Sequence, residues 1–259
     1  SARTGANMTK HSDEMPWYDG KSVLDMIESF EKAAGETERP FRMPVQDIYK
    51  FTDDNDSRRI VAGMIETGSV GAGAGVTFYL SGKRSTIDSI EGFNTPQRSV
   101  IEAGYSAGFT LTDQVFIRPG ETMCRSDEPT PRVASRFRAN IFWMGHSPMV
   151  RDRRYKLKLS AACVGGEVAE VLNVLDASVL TSVQGSQEIE RHDVAEVILE
   201  ASRPIAFDLS GEVEKTSRFV IVDDYEIAGC GIVLEDLHDG TSLLDQRVRE
   251  REFSWTKGS

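Results

Sequence analysis

Residues 194–208 read VAEVILEASRPIAFD. Ala195, Val197, Leu199 and Ala201 occupy every second position, the period of a strand with one buried face. The alternation breaks at Arg203-Pro204, where proline has no N–H to give a ladder, so the strand is expected to end there. Upstream, YKLKLS at residues 155–160 sets Tyr155, Leu157 and Leu159 against Lys156 and Lys158, one face buried and the other solvated. SRFRANIFWM (135–144), SRFVIVDD (217–224) and IAGCGIVLE (227–235) complete a set of strands. This half of the chain reads as all-β.

The same period governs the sequence before it. PVQDIYKF (44–51), RRIVAGMIETG (58–68), GVTFYLSGK (75–83), STIDSIEGF (85–93) and AGFTLTD (107–113) are short strands separated by turn residues. Val76, Phe78 and Leu80 share one face, and Ser81-Gly82 closes that strand with a turn. Turns about every ten residues suit a small closed antiparallel barrel. SDEPTPR (126–132), with two prolines among charges, marks a boundary between two barrels. Ahead of them, KSVLDMIESFEKAAG (21–35) carries Val23, Leu24, Ile27 and Phe30 at helical spacing, with Gly35 as a C-cap. ETERP (36–40) is a polar break. The end, DGTSLLDQRVREREFSWTKGS (239–259), places Leu243, Leu244 and Val248 at helical spacing among charges. The expected organisation is a leading segment with a linker helix (1–36), two β-barrels (37–129 and 130–236) and a helical connector (237–259).

Composition narrows the function. Of 259 residues, 39% are hydrophobic and 27% charged, as in a folded soluble domain. Thirty basic and 41 acidic side chains give a net charge of −11, which argues against stand-alone binding to nucleic acid or an anionic membrane. No apolar run reaches the roughly 20 residues that span a bilayer. Cys124, Cys163 and Cys230 are far apart and odd in number, so a disulfide framework and a Cys-x-x-Cys site are not expected. They read as buried or half-buried thiols in a cytoplasmic protein.

Motifs that carry chemistry are sparse. GSVGAGAG (68–75) is Gly-rich, but it precedes a strand and no Gly-Lys-Ser/Thr follows, so it reads as a connecting turn and not a phosphate loop. His11, His146, His192 and His238 have no His or Cys three or four residues away, which is poor spacing for zinc. His192-Asp193 has no serine in a Gly-x-Ser-x-Gly turn to serve and reads as a turn before a strand. His146, at the end of a hydrophobic strand, reads as a packing or turn residue. Asp53-Asp54 and Asp223-Asp224 fall in expected turns, where aspartate serves the backbone. Arg151, Arg153, Arg154, Lys156 and Lys158, and likewise Arg58-Arg59 and Lys83-Arg84, read as solvated strand faces or partner contacts. No catalytic or metal-binding residue is expected in this chain.

Several stretches, in order, resemble the second and third domains of translational GTPases of the elongation factor Tu and elongation factor one-alpha group. RPFRMPVQDIYKF and VAGMIETGSVGAGAGVTFYLSGK resemble the opening of the second domain, SIEGF and IEAGYSAGFTLT its later strands, and RFRANIFWMGHSPMVRDRRYKLKL the start of the third. DVAEVILEASRPIAFD and SRFVIVDDYEIAGCGIVLE resemble its end. Within that group, MPWYDG, SVLDMIE, FYLSGKRSTIDSIEGF and IFWMGHSPM resemble the large GTPase subunit of sulfate adenylyltransferase. REFSWTKGS resembles the connector that precedes an adenylylsulfate kinase domain in the fused forms.

The resemblance implies a two-barrel body that is not itself catalytic. The parent enzyme would make adenylylsulfate and pyrophosphate from ATP and sulfate, coupled to GTP hydrolysis. GTP and Mg would belong to a G domain outside this chain, with no cofactor held by the barrels. The implied partners are the small adenylyltransferase subunit, the protein's own G domain and, in fused forms, the kinase domain. Ser1-Ala2-Arg3 resembles the Ser-Ala-x loop that meets guanine in these GTPases, so Ser1 and Ala2 would be a remnant of that loop, without function alone. On this reading the chain starts in mid-loop, with the G domain ahead of it. The alternative is the aminoacyl-tRNA-binding barrels of a translation elongation factor. Against it, Ser57-Arg58-Arg59-Ile60-Val61-Ala62-Gly63 stands where aminoacyl-tRNA carriers have a Gly-x-Gly-Thr-Val run.

Overall fold

The computed structural model describes residues 1–30, 35–51, 58–92, 96, 98–151, 153–176, 181–184 and 188–237. It divides into a small unit, Ser1–Gly35, and a larger one, Glu36–Ser259.

In the small unit, helix α1 (Val23–Glu28) begins at a capping box: the Ser22 Oγ accepts from the Asp25 N–H, and the Asp25 carboxylate accepts from the Ser22 N–H, both at 3.2 Å. A helix this short depends on such a cap, because nucleation outweighs the few bonds it gains. It ends earlier than its apolar spacing suggests. Ser29 is the C-cap, its hydroxyl donating to the Met26 carbonyl at 2.8 Å in place of continuing the turn. Gly35 therefore does not cap it, and residues 31–34 lie outside the described residues. Val23, Leu24, Ile27 and Phe30 are exposed.

The larger unit opens with a 3-10 turn at Glu36–Glu38 and then holds two groups of strands. The first comprises β1 (Arg42–Pro44), β2 (Asp47–Lys50), β3 (Arg59–Met64), β4 (Ser69–Gly71), β5 (Gly75–Tyr79), β6 (Lys83–Glu91), β7 (Val100–Glu102), β8 (Ser106–Leu111) and β9 (Thr122–Arg125). Seven of these form one antiparallel sheet in the order β1-β9-β5-β6-β8-β3-β2, and β4 pairs with β7. The edge strands β1 and β2 are two halves of one segment interrupted at Val45-Gln46, so the sheet returns on itself as a barrel. Gly63 permits the return: a Cβ there would stand 2.3 Å from the Pro44 carbonyl oxygen. Met43, Val61, Val76, Phe78, Phe109 and Met123 fill the interior.

The second group comprises β10 (Arg132–Trp143), β11 (Met149–Val150), β12 (Tyr155–Leu159), β13 (Ala162–Asp176), β14 (Thr181–Gln184), β15 (Glu188–Ile189), β16 (Asp193–Phe207), α2 (Glu214–Ser217), β17 (Arg218–Asp223) and β18 (Glu226–Asp236). The order β12-β17-β18-β10-β16-β13, with β13 also paired to β12, closes a six-strand barrel. Its interior follows the alternation in the sequence. Tyr155, Leu157, Leu159, Ala195, Val197, Leu199 and Ala201 are all buried. Phe137 packs against Phe207 and Phe219 with ring centroids 5.3 and 5.9 Å away. Trp143 meets Tyr155 edge-on at 5.6 Å and donates Nε1–H to the Ser147 carbonyl.

The expected strand end at Arg203-Pro204 is corrected. β16 runs on to Phe207, and its pairing with β10 jumps from Arg136↔Glu200 to Ala134↔Ile205. Residues 201–204 bulge out of that ladder, and a bulge needs no N–H from Pro204. The expected connector helix at 237–259 falls almost wholly on residues 238–259, which lie outside the described residues.

Candidate functional site: a buried ion pair between the barrels

Arg42 lies on β1, and all three residues of that strand are buried. Met43 points into the first barrel, so period two sends Arg42 out of it, toward the second. There it meets Asp208, the residue after β16. Arg42 Nε donates to Asp208 Oδ2 and Nη2 to Oδ1, both at 2.9 Å, a bidentate pair whose side chains are 1% and 2% exposed. Nη1 donates to the Phe41 carbonyl at 3.0 Å, and Nη2 also to the Pro129 carbonyl at 2.8 Å. The Thr216 hydroxyl donates to Asp208 Oδ2 at 2.6 Å. The pair thus joins strand β1, the segment between β9 and β10, the end of β16 and helix α2.

Such a pair holds only when every donor and lone pair is used, because both charges have left water. Burial works against the guanidinium charge, but the hydrogen bonds to Asp208 and the surrounding negative charge outweigh it, and the Arg42 pKa lies above its ordinary value. Contacts around the pair extend it. Arg39 Nη1 donates to the Glu212 carbonyl at 2.7 Å, and Arg132 pairs with the Glu212 carboxylate at 2.8 Å.

Cys124, on β9 beside the pair, is buried. Its desolvation, together with the carboxylates of Asp208 and Glu128, outweighs Arg42 and pushes the thiol up to about 12. A free cysteine has a pKa of about 8.5. A group raised on folding contributes stability that is fully present below the unfolded value and is lost as pH rises through the folded one. Stability should therefore fall between about pH 8.5 and 12. Urea midpoints across that range check it, and Cys124→Ala should flatten the decline. Iodoacetamide at pH 8 should label Cys163, which is exposed against the expectation from sequence, and reach Cys124 only on unfolding.

The other sequence candidates stay apart from this site. GSVGAGAG forms β4 and the turn into β5. Gly68 has φ +74°, and a Cβ there would come within 2.5 Å of the Phe41 Cα, so this glycine serves a close backbone approach and not a phosphate. Ser1 and Ala2 are exposed in a turn, with the Ser1 ammonium on the Ala6 carbonyl. His11 and His146 are exposed; His192, with φ 77°, donates its backbone N–H to the Trp143 carbonyl in the turn before β16. His238, Asp53 and Asp54 lie outside the described residues. Asp223 ends β17 and pairs with Arg153 at 2.6 Å, and Asp224 makes the following turn. Arg58 pairs with Glu91 at 3.3 Å and lies over the Phe51 ring. Arg59 borders a cleft of about 470 Å³ on the first barrel, with Lys50, Arg118 and Phe116. Lys83 donates to the Phe116 carbonyl, and Arg84 is exposed.

The Gly-rich stretch runs in a ladder, and among the described residues no group of three or more His, Cys, Asp or Glu gathers. Also among the described residues, no helix is long and apolar enough to cross a membrane.

Sequence reasoning missed Arg42 and Asp208. The signal was present as an arginine inside the apolar run PFRMPV and an aspartate closing PIAFD.

Comparison with known proteins agrees with this architecture. Residues 136–234 match the family described as GTP-eEF1A C-terminal domain-like. Sulfate adenylyltransferase subunit 1 of Laribacter hongkongensis (strain HLHK9) is 29% identical over 231 residues, covering 89% of this chain and 47% of that protein. Bifunctional enzyme NodQ of Rhizobium sp. (strain BR816) is 30% identical over 236 residues, covering 91% of this chain and 36% of that protein. The chain therefore spans about half the length of the former and about a third of the latter. The crystal structure of sup35 complexed with GDP superposes with a TM-score of 0.70 at 20% identity, over 92% of this chain and 58% of that one. Residues 136–234 thus match the GTP-eEF1A C-terminal domain-like family, the chain shares its two-barrel fold with sup35, and over most of its length it is similar to sulfate adenylyltransferase subunit 1 and NodQ.

Proposed function

We propose that this chain is the two-barrel body of a GTP-dependent sulfate adenylyltransferase large subunit. Its role is to couple and dock, not to catalyse. The observation that carries this reading is the fully bonded Arg42–Asp208 pair, which makes the two barrels one body able to pass a displacement from one end to the other. A rigid lever of this kind transmits the state of a switch without holding the switch itself. The similarity to sulfate adenylyltransferase subunit 1 over most of the chain supports the choice of enzyme. In the parent protein, GTP and Mg belong to the G domain, and a small subunit transfers the adenylyl group. Ser1 and Ala2 belong to the guanine-contacting loop of that G domain, residues 37–129 and 130–236 are the two barrel domains, and residues 237–259 lead toward a further domain in fused forms. The assembly works in the cytoplasm.

Calorimetry and co-purification test this together. The chain alone should show no heat of GTP binding and should co-purify with the sulfate adenylyltransferase small subunit of its organism. Tight GTP binding by the chain, or a salt-steep gel shift with aminoacyl-tRNA in place of small-subunit binding, would overturn it in favour of a self-sufficient GTPase or a translation-factor body.

A further inference from the structure

The outer face of the second barrel breaks the alternation that governs its inner one. Outward positions on barrel strands in water are ordinarily polar. Along one cross-strand row, however, Val220, Cys230, Phe142 and Val194 stand side by side on β17, β18, β10 and β16. Ile232 stands in the next row, between Arg218 and Asn140. Together they line an open depression of about 560 Å³ whose surface is nearly all apolar. Toward the β17–β18 hairpin tip, Ile227 and Tyr225 are 62% and 95% exposed, and Met144 is exposed after β10. A contiguous apolar area with a polar border marks an interaction site on a soluble protein.

The border shows what kind of partner fits. Lys158 ends the apolar row beside Val220, and Lys156 lies next to it over the Tyr225 ring at 5.7 Å. Neither lysine has a carboxylate partner among the described residues. The other charges nearby are engaged: Arg218 with Glu214, Glu196 with Arg138, and Asp223 with Arg153. Asp224 and Glu226 lie at the hairpin tip. Asp224 and Glu226 are not among the residues lining the depression, whose charged members, Lys158 and Arg218, are both basic.

We propose that this face docks an acidic, apolar-bearing segment of the small adenylyltransferase subunit, with Phe142 and Val220 as the buried anchors and Lys156 and Lys158 as the charge selectors. The proposal rests on the sulfate adenylyltransferase reading and names the surface that reading requires. Large apolar side chains at the centre of an interface carry most of its affinity, and rim charges set its rate of association and salt dependence.

Cys230 provides a direct probe, because its half-buried thiol lies in the middle of the row. In a Cys163→Ser background, adding the small subunit should slow alkylation of Cys230 by N-ethylmaleimide at least about tenfold, as expected for a buried interface core. The double variant Phe142→Ser/Val220→Ser should lose small-subunit binding by at least about tenfold. The exposed pair Lys156→Glu/Lys158→Glu, which leaves the barrel interior untouched, should weaken binding and reverse its salt dependence. If the chain binds the small subunit while Cys230 stays reactive and the charge reversal has no effect, the surface is wrong and the enzyme reading stands. If the unmodified chain does not bind the small subunit at all, both fall.

Discussion

Replacing Arg42 with alanine should destabilise the two-barrel unit by about 3–5 kcal/mol, the cost of leaving one charge of a buried pair without its partner. The change strands the Asp208 carboxylate at 2% exposure with only the Thr216 hydroxyl to answer it, and it releases the Phe41 and Pro129 carbonyls. Asp208→Ala should cost a similar amount, because Arg42 would keep two carbonyl bonds but lose its counter-charge. Arg42→Met combined with Asp208→Leu removes both charges and restores volume, so it should recover most of the loss. Urea denaturation of the three variants reads the effect as a shift of midpoint at constant slope. The comparison separates an ion pair that stabilises by charge from one that specifies how the barrels meet. In the second case the double variant keeps its stability while the coupling between barrels weakens.

Phe137→Ala should cost about 3–5 kcal/mol, the range for deleting a buried aromatic side chain. Phe137 is fully buried on β10 and touches Phe207 and Phe219, so its removal opens a void where β10, β16 and β17 meet. The closed ladder limits how far those strands can collapse inward, which places the cost toward the upper end of the range. Thermal unfolding followed by near-ultraviolet circular dichroism checks it, with Phe137→Leu as the milder control.

The barrels were legible in the sequence wherever one face is buried by the barrel's own interior. YKLKLS and VAEVILEA alternate because their inward side chains fill a closed space and their outward ones meet water. Legibility failed where a second layer covers the outer face. Arg42 occupies an outward position of β1, which period two assigns to solvent, but the other barrel buries it. Its partner lies 166 residues away, too far for any local pattern to announce. The strand end at Pro204 misled for a related reason: the proline sits where the ladder is already interrupted. The helix at 21–35 was over-extended because apolar spacing continues past Ser29, while the hydroxyl of Ser29 ends the turn. Phe142 and Val220 read as ordinary members of hydrophobic strands. Only the register shows that they face outward together.

The claim that the two barrels act as one body is tested most directly by unfolding each with its own probe. Pulsed alkylation of Cys124 reports the first barrel, and fluorescence of Trp143, in a Trp17→Phe/Trp255→Phe background, reports the second. The two urea midpoints should coincide in the unmodified pair and separate in Arg42→Ala. Midpoints that differ while Arg42 and Asp208 are both intact would contradict the account.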